Sequence, residues 1–234
     1  MIELLDSRNQ NLWNEIIQNY NVEFEESINN EYSVYSINNS ATFFINKNNL
    51  CKDSFTHEML HVYMGIKDLY FSSSLKLTLS QSKILSENLS PQLIEHIGNS
   101  LDHIKMLPIY LELGFDRKKF IIDYDQYKCT DEEIMMFNKY YKIGKKINLK
   151  AIDAYIGRLV SILCDPNGDF DYSSDLKKLE KIDSLLFKII VRLINHTKEV
   201  KVLDRTIFED DHRTVISNFY KNMINWISKN SFTS

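Results

Sequence analysis

The stretch Ser54-Phe-Thr-His-Glu-Met-Leu-His-Val-Tyr63 governs how the rest of this 234-residue chain is read. His57 and His61 stand four positions apart with no proline between them. On an α-helix, residues i and i+4 share one face, with Cβ atoms about 5–6 Å apart. Two imidazoles so placed can converge on one Zn²⁺ at about 2.0–2.1 Å each. Glu58 follows the first histidine directly, where a carboxylate points to the side of the metal. There it can take a proton from a metal-activated water instead of coordinating. The neighbours Phe55, Met59, Leu60 and Val62 are apolar, as suits a helix buried beneath a cleft, where charge would be costly.

Upstream, Leu12, Trp13, Ile16, Ile17 and Tyr20 recur at helical spacing and predict a helix over 8–20. The texture then changes. Val22/Phe24 and Tyr32/Val34 alternate, Ala41 to Ile45 is a short apolar run, and Asn38-Asn39 offers a turn. Residues 22–45 are thus the one convincing β-region. Everything after Asp53 reads as helix. Asp53 or Ser54 is the expected cap of a helix reaching about Leu69. Ser90-Pro91 starts another that runs toward Gly114, with a kink or break near Pro108. Thr130-Asp-Glu-Glu133 is a capping box for a helix ending at Gly144. Apolar spacing of three and four predicts further helices over 148–164, 174–195 and 211–229. The expected fold class is α+β, a small N-terminal sheet followed by a helix-dominated part. No Pro/Gly/Ser-rich linker divides the chain, so one domain over 1–234 is expected: 1–53 the sheet region, 54–114 the two ligand-bearing helices, 115–234 a helical C-terminal part.

A catalytic zinc site usually has three protein ligands and an open position. The helix from Pro91 is the best source of the third. Leu93, Ile94, Ile97, Leu101 and Ile104 form its apolar face. Glu95, His96, Asn99, Asp102 and His103 share a stripe about 120° wide on the other side, free of Lys and Arg. His103 is the first choice, because imidazole suits zinc. Asp102 and Glu95 are the alternatives, and either can instead orient a ligand, as can Asn99. The same stripe also fits a solvated face with local pairing. His196 is isolated, and Asp210-Asp211-His212-Arg213 reads as a charged helix start. Tyr63, Tyr110 and Tyr155 are candidate donors to an oxyanion, with nothing to select one.

The segment Ser54–Tyr63, with its HExxH pattern, resembles the zincin superfamily of metallopeptidases. That resemblance implies a small sheet before the active helix, with an edge strand that lines a cleft and pairs with an extended peptide. It also implies Zn²⁺ as cofactor and peptide-bond hydrolysis with Glu58 as general base, on a peptide or protein substrate. The continuation Val62-Tyr-Met-Gly65-Ile-Lys-Asp68 lacks the third histidine of the metzincins, and no glutamate stands at the gluzincin spacing. The chain therefore resembles a divergent gluzincin-like or minimal zincin. The alternatives are a catalytically weak zincin-like regulatory or binding protein, or a helical interaction protein with an accidental motif.

Bulk properties narrow the partners. Formal net charge is -4, against the basic balance that broad nucleic-acid binding needs. Cys51, Cys129 and Cys164 are far apart without a CxxC pair, as expected of reduced thiols in a cytoplasmic protein. The N-terminus lacks a signal-peptide pattern, and no apolar run approaches the roughly 20 residues of a membrane span. Neither nucleic acid nor membrane is expected as a partner.

Overall fold

The computed structural model describes residues 2–202 and 211–233. After a 3-10 turn, Ile2–Leu4, come α1 (Gln10–Asn19), β1 (Asn21–Glu26), β2 (Ser33–Ile37), β3 (Ser40–Ile45) and α2 (Lys52–Ile66). Then follow α3 (Phe71–Ser80), α4 (Lys83–Asn88), α5 (Pro91–Glu112) and α6 (Asp131–Tyr140). The chain continues with β4 (Lys142–Ile143), β5 (Lys146–Asn148), α7 (Leu149–Leu163), α8 (Ser173–Ile182), α9 (Ser184–Glu199), α10 (His212–Ser228) and β6 (Phe232–Thr233). The fold is α+β, a small sheet near the N-terminus followed by helices. Two compact units form, Met1–Leu69 with Lys105–Asp125, and Tyr70–Ile104 with Gln126–Ser234. Among the described residues no helix is long and apolar enough to cross a membrane.

In the first unit the sheet order is β1-β3-β2, with β3 central, parallel to β1 and antiparallel to β2. The β2–β3 hairpin turns at Asn38-Asn39, where Asn38 takes φ +52°. That left-handed conformation is cheap for asparagine and matches the twist of a two-residue hairpin. Alternation along β3 buries Ala41, Phe43 and Ile45. Phe43 meets Trp13, Phe24 and Phe55 at ring-centroid distances of 6.3, 5.8 and 5.3 Å, so α1, the sheet and α2 share one aromatic core. The α2 helix starts at Lys52, ahead of the expected caps. Cys51 is its N-cap with no side-chain bond, while Asp53 lies in the first turn. There the carboxylate faces the positive helix end and accepts from the Tyr110 hydroxyl at 3.4 Å and Lys119 Nζ at 3.4 Å.

The α5 helix passes through Pro108 without the expected break. Pro108 is exposed, so water can reach the carbonyl its ring leaves unpaired, while Met106 and Tyr110 are buried. The helix closes at Gly114, φ +85°, with Phe115 N–H on Tyr110 C=O and Gly114 N–H on Leu111 C=O. This is a Schellman closure, and the Tyr110 and Phe115 rings, 5.2 Å apart, complete it.

The second unit is helical. The Thr130 capping box is formed, but α6 ends at Tyr140 rather than Gly144. Gly144, φ +63°, instead makes the β4–β5 turn. A second sheet, β4-β5-β6, thus joins the one expected β-region. The expected helix over 174–195 is two helices parted at Asp183. Its carboxylate caps Leu186 N–H at 2.9 Å and accepts from the Tyr141 hydroxyl and Trp226 Nε1 at 3.0 and 3.1 Å. A break that gains these bonds to a buried carboxylate outweighs one lost helical turn. Within this unit α3 and α5 approach closely at Gly98, where an added Cβ would lie 2.6 Å from Ser72 Oγ and 2.7 Å from Ser72 Cα. One neighbour is backbone, so Gly98→Ala must push the helices apart. The expected loss is about 1–3 kcal/mol, read as a lower urea midpoint.

Candidate metal centre

The α2 register fixes the first two donors. Phe55, Met59 and Val62 are buried, and the adjoining face carries half-buried His57, Glu58 and His61. His57 Nε2 and His61 Nε2 lie 3.3 Å apart. Two nitrogens held tetrahedrally at about 2.0–2.1 Å from one zinc would be separated by about 3.3–3.4 Å, so the pair already has the spacing of two ligands. The His57 ring lies 4.8 Å from the Phe120 ring and is tilted against it by 54°.

His103 on α5 joins them. One ligand nitrogen from each of His57, His61 and His103 lies within 4.8 Å of the others, close enough for the three to hold a metal ion. The alternatives Asp102 and Glu95 are not in this group. Glu95 is exposed, as are His96 and Asn99, so the first part of the stripe is a solvated face. Asp102 accepts from the Ser72 hydroxyl at 2.8 Å, while its Oδ1 is buried without a hydrogen-bond partner among the described residues. Gly98, one turn earlier, permits the helix contact that brings Ser72 to Asp102. Asp102 thus ties α5 to α3 directly beside His103.

Electrostatics suit a cation. Burial lowers the His57 imidazole to about 4, partly opposed by the Phe120 carbonyl. Burial, followed by repulsion from His57, lowers His61 to about 3. Both rings are therefore neutral near pH 7 and offer lone pairs, the form that binds metal. Burial raises Glu58 to about 8, opposed by the Val34 N–H, which donates to its carboxylate. Val34 is on β2, an edge strand of the sheet, so the Glu58 carboxylate lies beside that strand. Burial likewise raises Asp102 to about 7, against the Ser72 hydrogen bond.

For the metal-free chain these shifts give a pH dependence of definite sign. The histidines have folded values below the unfolded value of about 6.5, so their contribution falls as pH drops from about 6.5 toward 3. Glu58 and Asp102 have folded values above their unfolded ones. Their contribution falls as pH rises from about 4 toward 8. Metal-free Glu58→Gln should therefore gain stability on the wild type as pH rises from about 6 to 8, measured by urea unfolding. A difference that stays flat over that range contradicts the shift.

The other residues singled out lie elsewhere. Tyr155 donates its hydroxyl to the carbonyls of Leu179 and Asp183 at 2.8 and 3.3 Å, so it is committed to the helical core. Tyr110 donates to Asp53, and Tyr63 carries Lys67 Nζ 4.7 Å above its ring. Asp211 caps α10, so the expected helix start is formed, and His212 in its first turn is fully buried, 3.1 Å from Ser74 Oγ. Asp210 lies outside the described residues. Val34, Phe120, Ser72 and Gly98 were not singled out from the sequence. A glycine inside a helical pattern is a usable signal of close approach, and Gly98 carried it. No protein-family model, curated protein or solved structure matches this chain.

Proposed function

We propose that the chain is a zinc-dependent peptide hydrolase in which His57, His61 and His103 hold the ion and Glu58 is the general base. The observation that carries this reading is the convergence of His103 on the two histidines of an HExxH helix. Three imidazoles with no sulfur or carboxylate among them suit zinc in a catalytic site. When bound, zinc lowers the pKa of a water toward about 7 and polarises the scissile carbonyl.

The chain's own groups do the rest. Glu58 takes the proton of the attacking water and returns it to the leaving amine. Its raised affinity for a proton suits that exchange, and the Val34 N–H holds the carboxylate in place between the two transfers. An extended peptide can add to the open edge of β2, which would orient the scissile bond along the strand beside which Glu58 stands. Exposed Tyr35 and Ile37 on the same strand give such a peptide apolar side-chain contacts. The test is hydrolysis of a quenched-fluorescent peptide library by the zinc-loaded chain, with and without chelator. Chelator-sensitive cleavage is expected. Stoichiometric zinc without cleavage of any peptide would overturn the enzyme reading and leave a zinc-binding regulatory protein.

A further inference from the structure

The second unit carries a basic surface that the metal centre does not use. From Ile134 to Ile152 the chain has five lysines, Lys139, Lys142, Lys145, Lys146 and Lys150, and no acidic residue, within a protein of net charge -4. All five are exposed. None forms an ion pair among the described residues, although Lys139 Nζ sits 4.9 Å above the Tyr140 ring. Interleaved with them are exposed apolar side chains: Met135 at 70%, Met136 at 56% and Tyr140 at 42% on α6, and Ile143 at 58% beside the β4–β5 turn. Ile143 is the cross-strand partner of Lys146, so an apolar and a cationic side chain share one face of the hairpin.

We infer that the α6 end and the β4–β5 hairpin dock on an anionic phospholipid surface. Four exposed apolar side chains within nine residues are costly to leave in water, and the headgroup boundary accepts them. Lysines, as compact point charges, are drawn to a diffuse negative surface, whereas planar bidentate recognition of single phosphates calls for arginine, which this segment lacks. Nucleic acid would use the lysines but give Met135, Met136 and Ile143 nothing to contact. Lysine on the edge strand β4 also discourages edge-to-edge pairing. That role requires neither Lys139 and Lys150, outside the strands, nor the exposed methionines. The sequence expectation of no membrane partner rests on the lack of a spanning segment, which peripheral docking does not need.

The test is co-sedimentation of the full chain with vesicles of phosphatidylcholine alone or mixed with phosphatidylserine. Phosphatidylserine-dependent binding that weakens as salt rises is expected. Each lysine near such a surface contributes on the order of fivefold, so Lys142→Gln with Lys145→Gln and Lys146→Gln should lower partitioning by about a hundredfold. Met135→Ser with Ile143→Ser should weaken binding while its salt dependence persists. All these side chains are exposed, so the variants should keep the wild-type thermal midpoint. Equal binding by wild type and the triple variant, or no binding to either vesicle, would overturn the inference. Capture of polyglutamate without vesicle binding would overturn it too, in favour of an acidic protein partner.

Discussion

Glu58→Gln is expected to lower peptide hydrolysis by about 10²–10⁴-fold, the usual contribution of a general base, while zinc per chain stays at the wild-type value. Glutamine keeps the shape of the side chain and can still accept the Val34 N–H through its amide oxygen. What it cannot do is take and release a proton. The separation of the two readouts is the informative part. A protein that merely binds a ligand on a zincin-like surface would keep its binding in this variant, because the carboxylate would have no transfer to perform. Loss of zinc in Glu58→Gln would instead make Glu58 a ligand and remove it from the role of base. The substitution also relieves the burial of an ionisable group, so the metal-free variant should be no less stable than the wild type near neutral pH.

His61→Ala and His103→Ala are each expected to remove stoichiometric zinc, whereas Glu95→Ala leaves it unchanged. Three imidazoles converge within 4.8 Å, and deleting one leaves two donors from which other chelators strip the ion. The two histidine variants probe different elements, one on α2 and one on α5, so a shared outcome ties both helices to one site. Glu95 is the control, since it is exposed and lies outside the cluster. Asp102→Asn tests a supporting role. It keeps the hydrogen bond from Ser72 but removes a carboxylate one residue from His103, and zinc affinity is expected to fall with the loss of that negative charge near the ion. Measuring zinc by atomic emission on dialysed protein reads all four variants in one experiment.

The site was legible in proportion to how local it was. His57, Glu58 and His61 form one helical turn, and the spacing alone puts them on one face. The α5 stripe pointed to the right helix, but periodicity cannot separate Glu95 from His103, because they lie on the same side two turns apart. Packing separates them. Gly98 lets α3 come close, Ser72 bonds to Asp102, and the later part of the stripe is covered while Glu95 stays in solvent. The partners of Glu58 and His57 were illegible for another reason. Val34 and Phe120 act through backbone groups, which leave no mark in residue type.

The fold followed the same rule. Alternation at Tyr32/Val34, the apolar run Ala41 to Ile45 and the Asn38-Asn39 turn foretold the first hairpin, since β2 and β3 are long enough to show a pattern. Strands β4 and β6 have two residues each, too short to show any period. Asp183 sits in an unbroken helical pattern. Its role as a cap emerges only with Tyr141 and Trp226, which are distant in sequence.

Zinc content of the wild-type chain tests the central claim most directly. The protein would be purified without a histidine tag, exposed to excess zinc, dialysed against a weak chelator and assayed for metal per chain. One zinc per chain is the predicted result. A chain that retains none, while remaining folded by circular dichroism, would contradict the metal centre and the hydrolase reading built on it.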